Sequence, residues 1–326
     1  MICTLSIVLL CDGLVIFHKK VEKQYFRSFF CIALKYIICY NDYNIKNERR
    51  QDMIETIKKL LSERGIDLVA PVPFSDLTVT RPYLLERNGL VGKTAILFAV
   101  PYYTTPCDDC ARNISCYAVS PDYHRFFAAL FEEILPILRQ KFPQNSFLGF
   151  TDHSPIAEAE AAVKAGLGTF GCNHLFITKE HSSFVFLGEI ITDADIPCRA
   201  REISTCTACG ACKKACPVGL DTAACLSALT QKKGALSPDE EKTLIHHGCA
   251  WGCDLCQLAC PVTEAARRAG TLYSRIPFFN DNTLHRLTAD AIDAMSDEEF
   301  AARAYSWRGR SVILRNLKLL EGKEPL

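Results

Sequence analysis

The chain has no excess charge of either sign: among its 326 residues, 37 Lys and Arg balance 37 Asp and Glu. With a pI near 7.0, no global positive field draws it to nucleic acid, and only a local basic groove would do so. No G-x-G-x-x-G string follows a predicted strand, and no G-x-x-x-x-G-K-[ST] occurs. Neither dinucleotide nor nucleoside triphosphate binding is therefore indicated. Long apolar runs are also missing. MICTLSIVLLCDGLVIF contains Asp12 and is soon followed by Lys19 and Lys20, while SFFCIALKYIICY is shorter and holds Lys35. Both fall short of the roughly 20 apolar residues of a membrane span. The first run has no preceding Lys or Arg and no small-residue cleavage site, so it is a poor signal peptide. Internal repeats and low-complexity tracts are absent as well.

What is present is globular in character, with 49% hydrophobic and 23% charged residues, and the length suits one large domain and a small one. Eighteen cysteines are many for this length. They cluster at short metal-ligand spacings instead of scattering as a disulfide framework would, which points to metal in a reducing, cytoplasmic setting. Residues 1–52 differ in composition from the rest: Ala33 is their only alanine, whereas the downstream chain is alanine-rich. They are expected to be an over-extended reading frame outside the fold, with the true start at Met53. The rival reading is a membrane anchor.

From Met53, apolar Ile54, Ile57, Leu60 and Leu61 recur at helical spacing and stop at Gly65. DLVAPVPF, TAILFAVPYY, FLGFTD and SSFVFLGEIIT read as strands, and YHRFFAALFEEILPILRQKF as a helix bent or restarted at Pro136. In SPIAEAEAAVKAGLG, Ser154 suits the N-cap, Pro155 the first helical position and Gly166 the stop. Strands alternating with helices predict an α/β (α+β) domain over 53–195. A cysteine-dense, ferredoxin-like domain is expected over 196–265, and a short helical tail over 266–326.

The first cysteine run, CTACGACKKACP, places Cys206, Cys209, Cys212 and Cys216 before Pro217. In C-x-x-C-x-x-C-x-x-x-C-P, three thiolates hold one iron–sulfur cube and the fourth reaches another. Zinc sites use C-x-x-C pairs, usually two of them across a longer loop, and do not need the tight triple. The second run, GCDLCQLACP, gives Cys253, Cys256 and Cys260 but has alanine at 250, and Cys225 and Cys249 are the available substitutes. Two [4Fe-4S] clusters are expected: one on Cys206, Cys209, Cys212 and Cys260, the other on Cys216, Cys253, Cys256 and one of the substitutes. Spacing does not choose between Cys225 and Cys249.

The segment GFTDHSPIAEAEAAVKAGLGTFG puts Asp152 at the end of a predicted strand just ahead of a helix start, a usual place for a site residue. Taken with FLGEIITD, the first cysteine run, ACLSALT around Cys225, GCDLCQLACP and, more weakly, YAVSPDYH and SWRGRSVILRN, the chain resembles the epoxyqueuosine reductase family. That resemblance covers most of residues 95–316. It implies an enzyme in which two clusters reduce a base-off cobalamin that deoxygenates epoxyqueuosine to queuosine in tRNA. It also chooses Cys225 as the remaining ligand and Asp152 as proton donor and cofactor contact. Gly168, Thr169, Gly171 and Asn173 become the remaining corrinoid contacts, and a flavodoxin or ferredoxin the electron donor; no membrane partner is implied. A donor must be protonated near neutral pH, so burial against the corrinoid is expected to raise the Asp152 pKa from about 3.9.

The chain departs from the family pattern in several places. The C-terminal helical-repeat extension of longer members is not seen; Cys116 and Pro121 stand where those members carry arginines, and Cys172 where they carry a lysine. Arg308, Arg310 and Arg315 are the tail residues placed to meet phosphates. Two alternatives stand beside the main reading: a two-cluster electron-transfer protein, and a related corrinoid reductase with a small-molecule substrate. Cys107, Cys110 and Cys116, with Cys172, form a possible extra metal or redox thiol site, weighed against independent thiols, and Cys249 is expected to be a buried free thiol.

Overall fold

A computed structural model describes residues 48–322 and the backbone of two N-terminal strands, β1 (Ile7–Leu10) and β2 (Gly13–Ile16). The expectations for residues 1–52 fall largely outside the described residues. The chain divides into two units, Met1–Gln51 and Asp52–Leu326. In the first, β1 and β2 pair antiparallel with Leu10 opposite Gly13.

The helix α1 (residues 48–62) buries Ile57 and Leu61, both residues of the second unit, as its apolar spacing requires. A four-stranded sheet follows, made of β3 (Leu68–Pro73), β4 (Thr94–Pro101), β5 (Phe147–Phe150) and β8 (Val185–Thr192). Its order is β3-β4-β8-β5 and every pairing is antiparallel. The mixed fold is thus the α+β form of the expected class. β4 is buried at all eight positions, which fits a central strand covered on both faces, and its continuous apolar sequence agrees. A short pair, β6 (Thr169–Phe170) and β7 (Phe176–Ile177), lies outside this sheet.

Two helices position the site. A short α2 (Tyr83–Glu86) precedes them in the chain. α3 (Tyr123–Lys141) runs unbroken through Pro136, so the expected bend does not divide it. Its Phe127 packs on Phe98 of β4 with ring centroids 6.0 Å apart, and Gly188 of β8 leaves the room for both rings. α4 (Glu158–Ala165) ends at Gly166, whose φ of 83° gives the left-handed stop foreseen there. Its start differs from the expectation. Ser154 does not cap it; the serine hydroxyl donates to the buried carboxylate of Glu189 and accepts the Ile156 N–H at 3.1 Å, and Ala157 takes the N-cap position.

The cysteine-bearing segments are short helices: α5 (Ala211–Ala215), α6 (Leu226–Thr230), α7 (Pro238–His247), α8 (Leu255–Leu258) and α9 (Pro261–Ala269). The tail adds α10 (Pro277–Asn280), α11 (Ala289–Ala294), α12 (Asp297–Ala301) and α13 (Arg310–Leu320). One continuous core draws on Met53, Phe98, Phe184, Trp251, Tyr305 and Ile313. It includes side chains from residues 53–195, 196–265 and 266–326 alike. Among the described residues, no helix is long and apolar enough to cross a membrane.

Candidate functional site

The two cysteine runs meet because α5 packs against α8. A cavity of about 730 Å³ is lined by Cys206, Cys209, Cys212 and Cys260 together. Cys260 sits at the N-cap of α9 with Pro261 in its first turn. Cys216 ends α5 and Cys225 precedes α6. Burial pushes the Cys253 thiol up to about 12, and Asp254, Cys256 and Cys225 are near enough to add to the shift. Burial likewise pushes Cys256 up; Asn173 hydrogen-bonds its thiol, and Cys216 and Cys225 act on it electrostatically. Cys206, Cys209, Cys212 and Cys260 thus line one cavity, and Cys216, Cys225 and Cys212 all lie near enough to Cys256 to act on its charge. Among the described residues, no three His, Cys, Asp or Glu side chains converge to hold one metal ion. A cubane asks for something else: its four cysteines bind four different irons, so their sulfurs stand apart around a space. Soft thiolates in this number fit iron and sulfide better than a hard cation.

The scaffold under these thiols is specific. The carboxylate of Asp254, between Cys253 and Cys256, accepts from Arg112 at 2.7 Å, from the Cys116 N–H at 2.8 Å, from the Ser115 hydroxyl and from Gln257. The segment before it is clamped by Ala250 N–H to Asn113 and Ser115 N–H to Trp251. Gly252 is required there, because it has a φ of 74° and a Cβ would strike Ser115. The residues around CDDCARNISC therefore hold the second cysteine run. The extra metal site imagined among them is not assembled: Cys107 and Cys116 are buried, Cys110 is exposed, and the Cys172 sulfur lies elsewhere, 3.6 Å from that of Cys206. Cys249, expected to be buried, is half-buried; it donates to the Trp251 carbonyl at 3.3 Å, and burial pushes its thiol up to about 12.

The loop after α4 forms one wall of the cysteine cavity, with Gly168, Thr169 and Asn173 lining it. It is tied to the first run by Phe170 N–H to Ser204 and by Cys206 N–H to Phe170. Gly168 and Gly171, expected as cofactor contacts, have a nearer reason to be glycine. A Cβ would collide with the Ile177 carbonyl at Gly168 and with the Asn173 amide oxygen at Gly171.

Asp152 stands at the far end of α4 from this cavity, beyond β5. Eight residues make α4 about 12 Å long. Its last turn gives Val163 and then Gly166 to the cavity wall, whereas its first residue, Glu158, accepts the Asp152 N–H at 2.9 Å. Asp152 has a φ of 58° and a side chain 66% exposed. Its carboxylate meets His124 Nε2 at 3.5 Å. Asp122, the N-cap of α3, holds the other ring nitrogen at 2.8 Å. Two carboxylates thus flank one imidazole. Hydrogen bonds to Asp122 and Asp152 push His124 up to about 9, against the opposing pull of burial. The hydrogen bond from His124 holds Asp152 below the usual carboxylate range. The expected upward shift is therefore not what this exposed, imidazole-paired carboxyl shows. Tyr123 stacks on Phe186 at 4.1 Å and 13°, which anchors the neighbouring His124 to the core.

Sequence reasoning missed His124, Tyr123, Glu158 and Glu189 as parts of this site. Glu189 carried a signal, as the sole acid inside an otherwise apolar strand. The tail arginines also differ from expectation. Arg310 is spent on Asp297 at 3.0 Å and on the Ile292 and Ser296 carbonyls, and Arg315 on the Lys232 and Gly234 carbonyls. Arg308 stacks on the exposed Trp307, 3.8 Å from its ring centroid.

The mixed α/β fold carries thiols at one end of a helix and an acid–imidazole pair at the other. No family model matches the chain. It is 32% identical over 233 residues to the epoxyqueuosine reductase of Gloeobacter violaceus, covering 68% of this chain and 72% of that one. To the epoxyqueuosine reductase of Escherichia coli it is 31% identical over 223 residues, 65% of this chain and 58% of that protein; this chain thus spans less than two thirds of the longer relative. A crystal structure of epoxyqueuosine reductase with an epoxyqueuosine-modified tRNA-Tyr stem loop superposes with a TM-score of 0.66 at 23% identity, over 84% of this chain and 81% of that one. The chain belongs to the epoxyqueuosine reductase family.

Proposed function

We propose that the chain reduces epoxyqueuosine to queuosine in tRNA. Family membership supports the substrate, and the Asp122–His124–Asp152 arrangement is the observation that carries the chemistry. Cys206, Cys209, Cys212 and Cys260 would hold one [4Fe-4S] cluster, and Cys216, Cys225, Cys253 and Cys256 the other. Exposed Val79 and Tyr83, linked to the Asp152 loop through the Val79–Ile156 bridge and the Tyr83–His153 hydrogen bond, offer apolar surface of the kind a corrin ring covers, and Thr169 and Asn173 are kept as further corrinoid contacts. When bound, the clusters supply single electrons and the corrinoid a strongly reducing nucleophile.

The protein's own part is the proton. Removing an epoxide oxygen as water takes two electrons and two protons: a donor at that oxygen supplies one proton and solvent the other. Asp152 and His124 together hold one at neutral pH, on the imidazole while the loop is open to water. Covering the exposed carboxylate removes water from it, which raises its proton affinity and draws the proton toward Asp152. Asp122 keeps the imidazole oriented throughout. A plain electron carrier has no use for such a pair.

One observation favours the small-molecule alternative: Arg310 and Arg315 are consumed internally and present no phosphate patch. The Trp307–Arg308 stack speaks for tRNA instead, because an exposed ring beside a guanidinium is a platform for a nucleobase. Nucleoside analysis separates the two. Conversion of epoxyqueuosine in tRNA by the reconstituted protein supports the main reading; turnover of the free nucleoside alone supports the alternative.

A further inference from the structure

Behind the Asp152 loop lies a second pair of acids that the proton chemistry above does not use. Glu189, in the middle of β8, is fully buried, and its Oε1 accepts from the Ser154 hydroxyl. Its Oε2 is buried with no donor. The carboxyl that faces it is Glu158, at the start of α4, whose Oε1 accepts the Asp152 N–H. Two carboxyl groups in contact away from water cannot both ionise. A proton between them satisfies the orphaned oxygen and turns a repulsion into a hydrogen bond.

We infer that Glu158 and Glu189 share one proton, and that Glu158, fixed by it, is a positioning residue for Asp152. This rests on the proposed role of Asp152. The backbone of Asp152 is left-handed, at a φ of 58°, a conformation that Asp tolerates better than most residues and that local hydrogen bonds fix. Glu158 holds it through the N–H, and that turn aims the carboxylate at His124. The loop has a further brace in Arg81, which donates to the Ser154 carbonyl at 3.1 Å.

The charged groups around the pair set the direction of its response to pH. Burial pushes Glu158 up to about 7 despite the Asp152 N–H; Asp152 raises it further and Arg81 opposes. Burial, then the charge of Glu158, pushes Glu189 well above its ordinary value. Across the loop, α3 contributes His124 and Tyr123, which act on Asp152. In the sheet, Leu97 of β4 and Phe150 of β5 lie in register with Glu189. Glu158 is therefore the acid that ionises first, near neutrality, and the proton that remains on Glu189 is the one the pair shares. Only when that proton is lost too, in base, do two facing carboxylates drive Glu158 away and release the Asp152 turn.

Hydrogen–deuterium exchange of the full-length protein tests this without substrate or cofactor, read on a peptide spanning residues 150–158 from mildly acidic to basic pH and corrected for the intrinsic rate. The wild type is expected to stay protected through neutrality and to lose protection in base. In Glu189→Gln and Glu158→Gln an amide proton replaces the shared one, so each is expected to keep its protection at all pH values. Glu158→Ala is expected to be unprotected throughout. Wild-type protection that does not change with pH, or a pH step that persists in both glutamine variants, would overturn the inference. Infrared spectroscopy adds a second reading: a protonated-carboxyl C=O band in the wild type that both glutamine variants lose. The absence of that band would also overturn it. The proposed function fails separately, if Asp152→Ala leaves deoxygenation intact while the exchange behaves as described.

Discussion

At the scale of the residue, the proposed chemistry and its pH range rest on the Asp122–His124–Asp152 arrangement. The histidine's pKa is raised, so its ionic contribution to stability is complete below about 6.5 and disappears as pH rises through about 9. Asp152 has the opposite sign: its pKa is lowered, so its share is present above the ordinary carboxylate value and lost as pH falls through the lowered one. Replacing His124 with alanine is expected to move the Asp152 titration upward, measurable by carboxyl NMR. An Asp152 titration unchanged by that substitution would remove His124 from the proton path. Asp152→Asn should reduce deoxygenation by roughly 10²–10⁴-fold, the usual worth of a general acid, with little effect on thermal stability because the side chain is exposed.

Elements place these residues, and here the sequence was legible in part. The strands and most of α3 follow from local apolar pattern, which needs no knowledge of the rest of the chain. Ser154 shows where local reading stops. It has the form of an N-cap, yet its hydroxyl is taken by Glu189, thirty-five residues away, and α4 starts later. The same limit hid His124: an aspartate two residues ahead of a histidine is visible in PDYH, but the partner Asp152 arrives only through the packing of α3 beside β5. Cysteine spacing was legible because ligand sets repeat at short range, whereas the clamp on Asp254 joins segments 138 to 142 residues apart. Asp254→Ala should cost about 3–5 kcal/mol, since it strands the mostly buried Arg112 guanidinium. A loss under 1 kcal/mol in denaturant unfolding would mean that the clamp is dispensable. Gly188→Ala, which drives a methyl into the Phe98 and Phe127 rings, should cost about 1–3 kcal/mol by overpacking.

For the whole molecule, the central point is that one helix, α4, joins two kinds of chemistry: gathered thiols at its last turn and a proton-holding acid at its first. Electrons and protons can thus be delivered from opposite ends of about 12 Å of rigid backbone. Cys256→Ala and Cys260→Ala are each expected to lower bound iron and sulfide toward half, since each removes a ligand from a different proposed cluster. Trp307→Ala should weaken tRNA binding while leaving iron content unchanged. The most direct measurement is nucleoside mass spectrometry of epoxyqueuosine-containing tRNA, after incubation with protein reconstituted anaerobically with iron, sulfide and cobalamin and supplied with a low-potential reductant. Queuosine should form with the wild type, and not with Asp152→Ala or without cobalamin. Epoxyqueuosine left intact by the fully reconstituted wild type, or converted equally well by Asp152→Ala, would contradict the proposal.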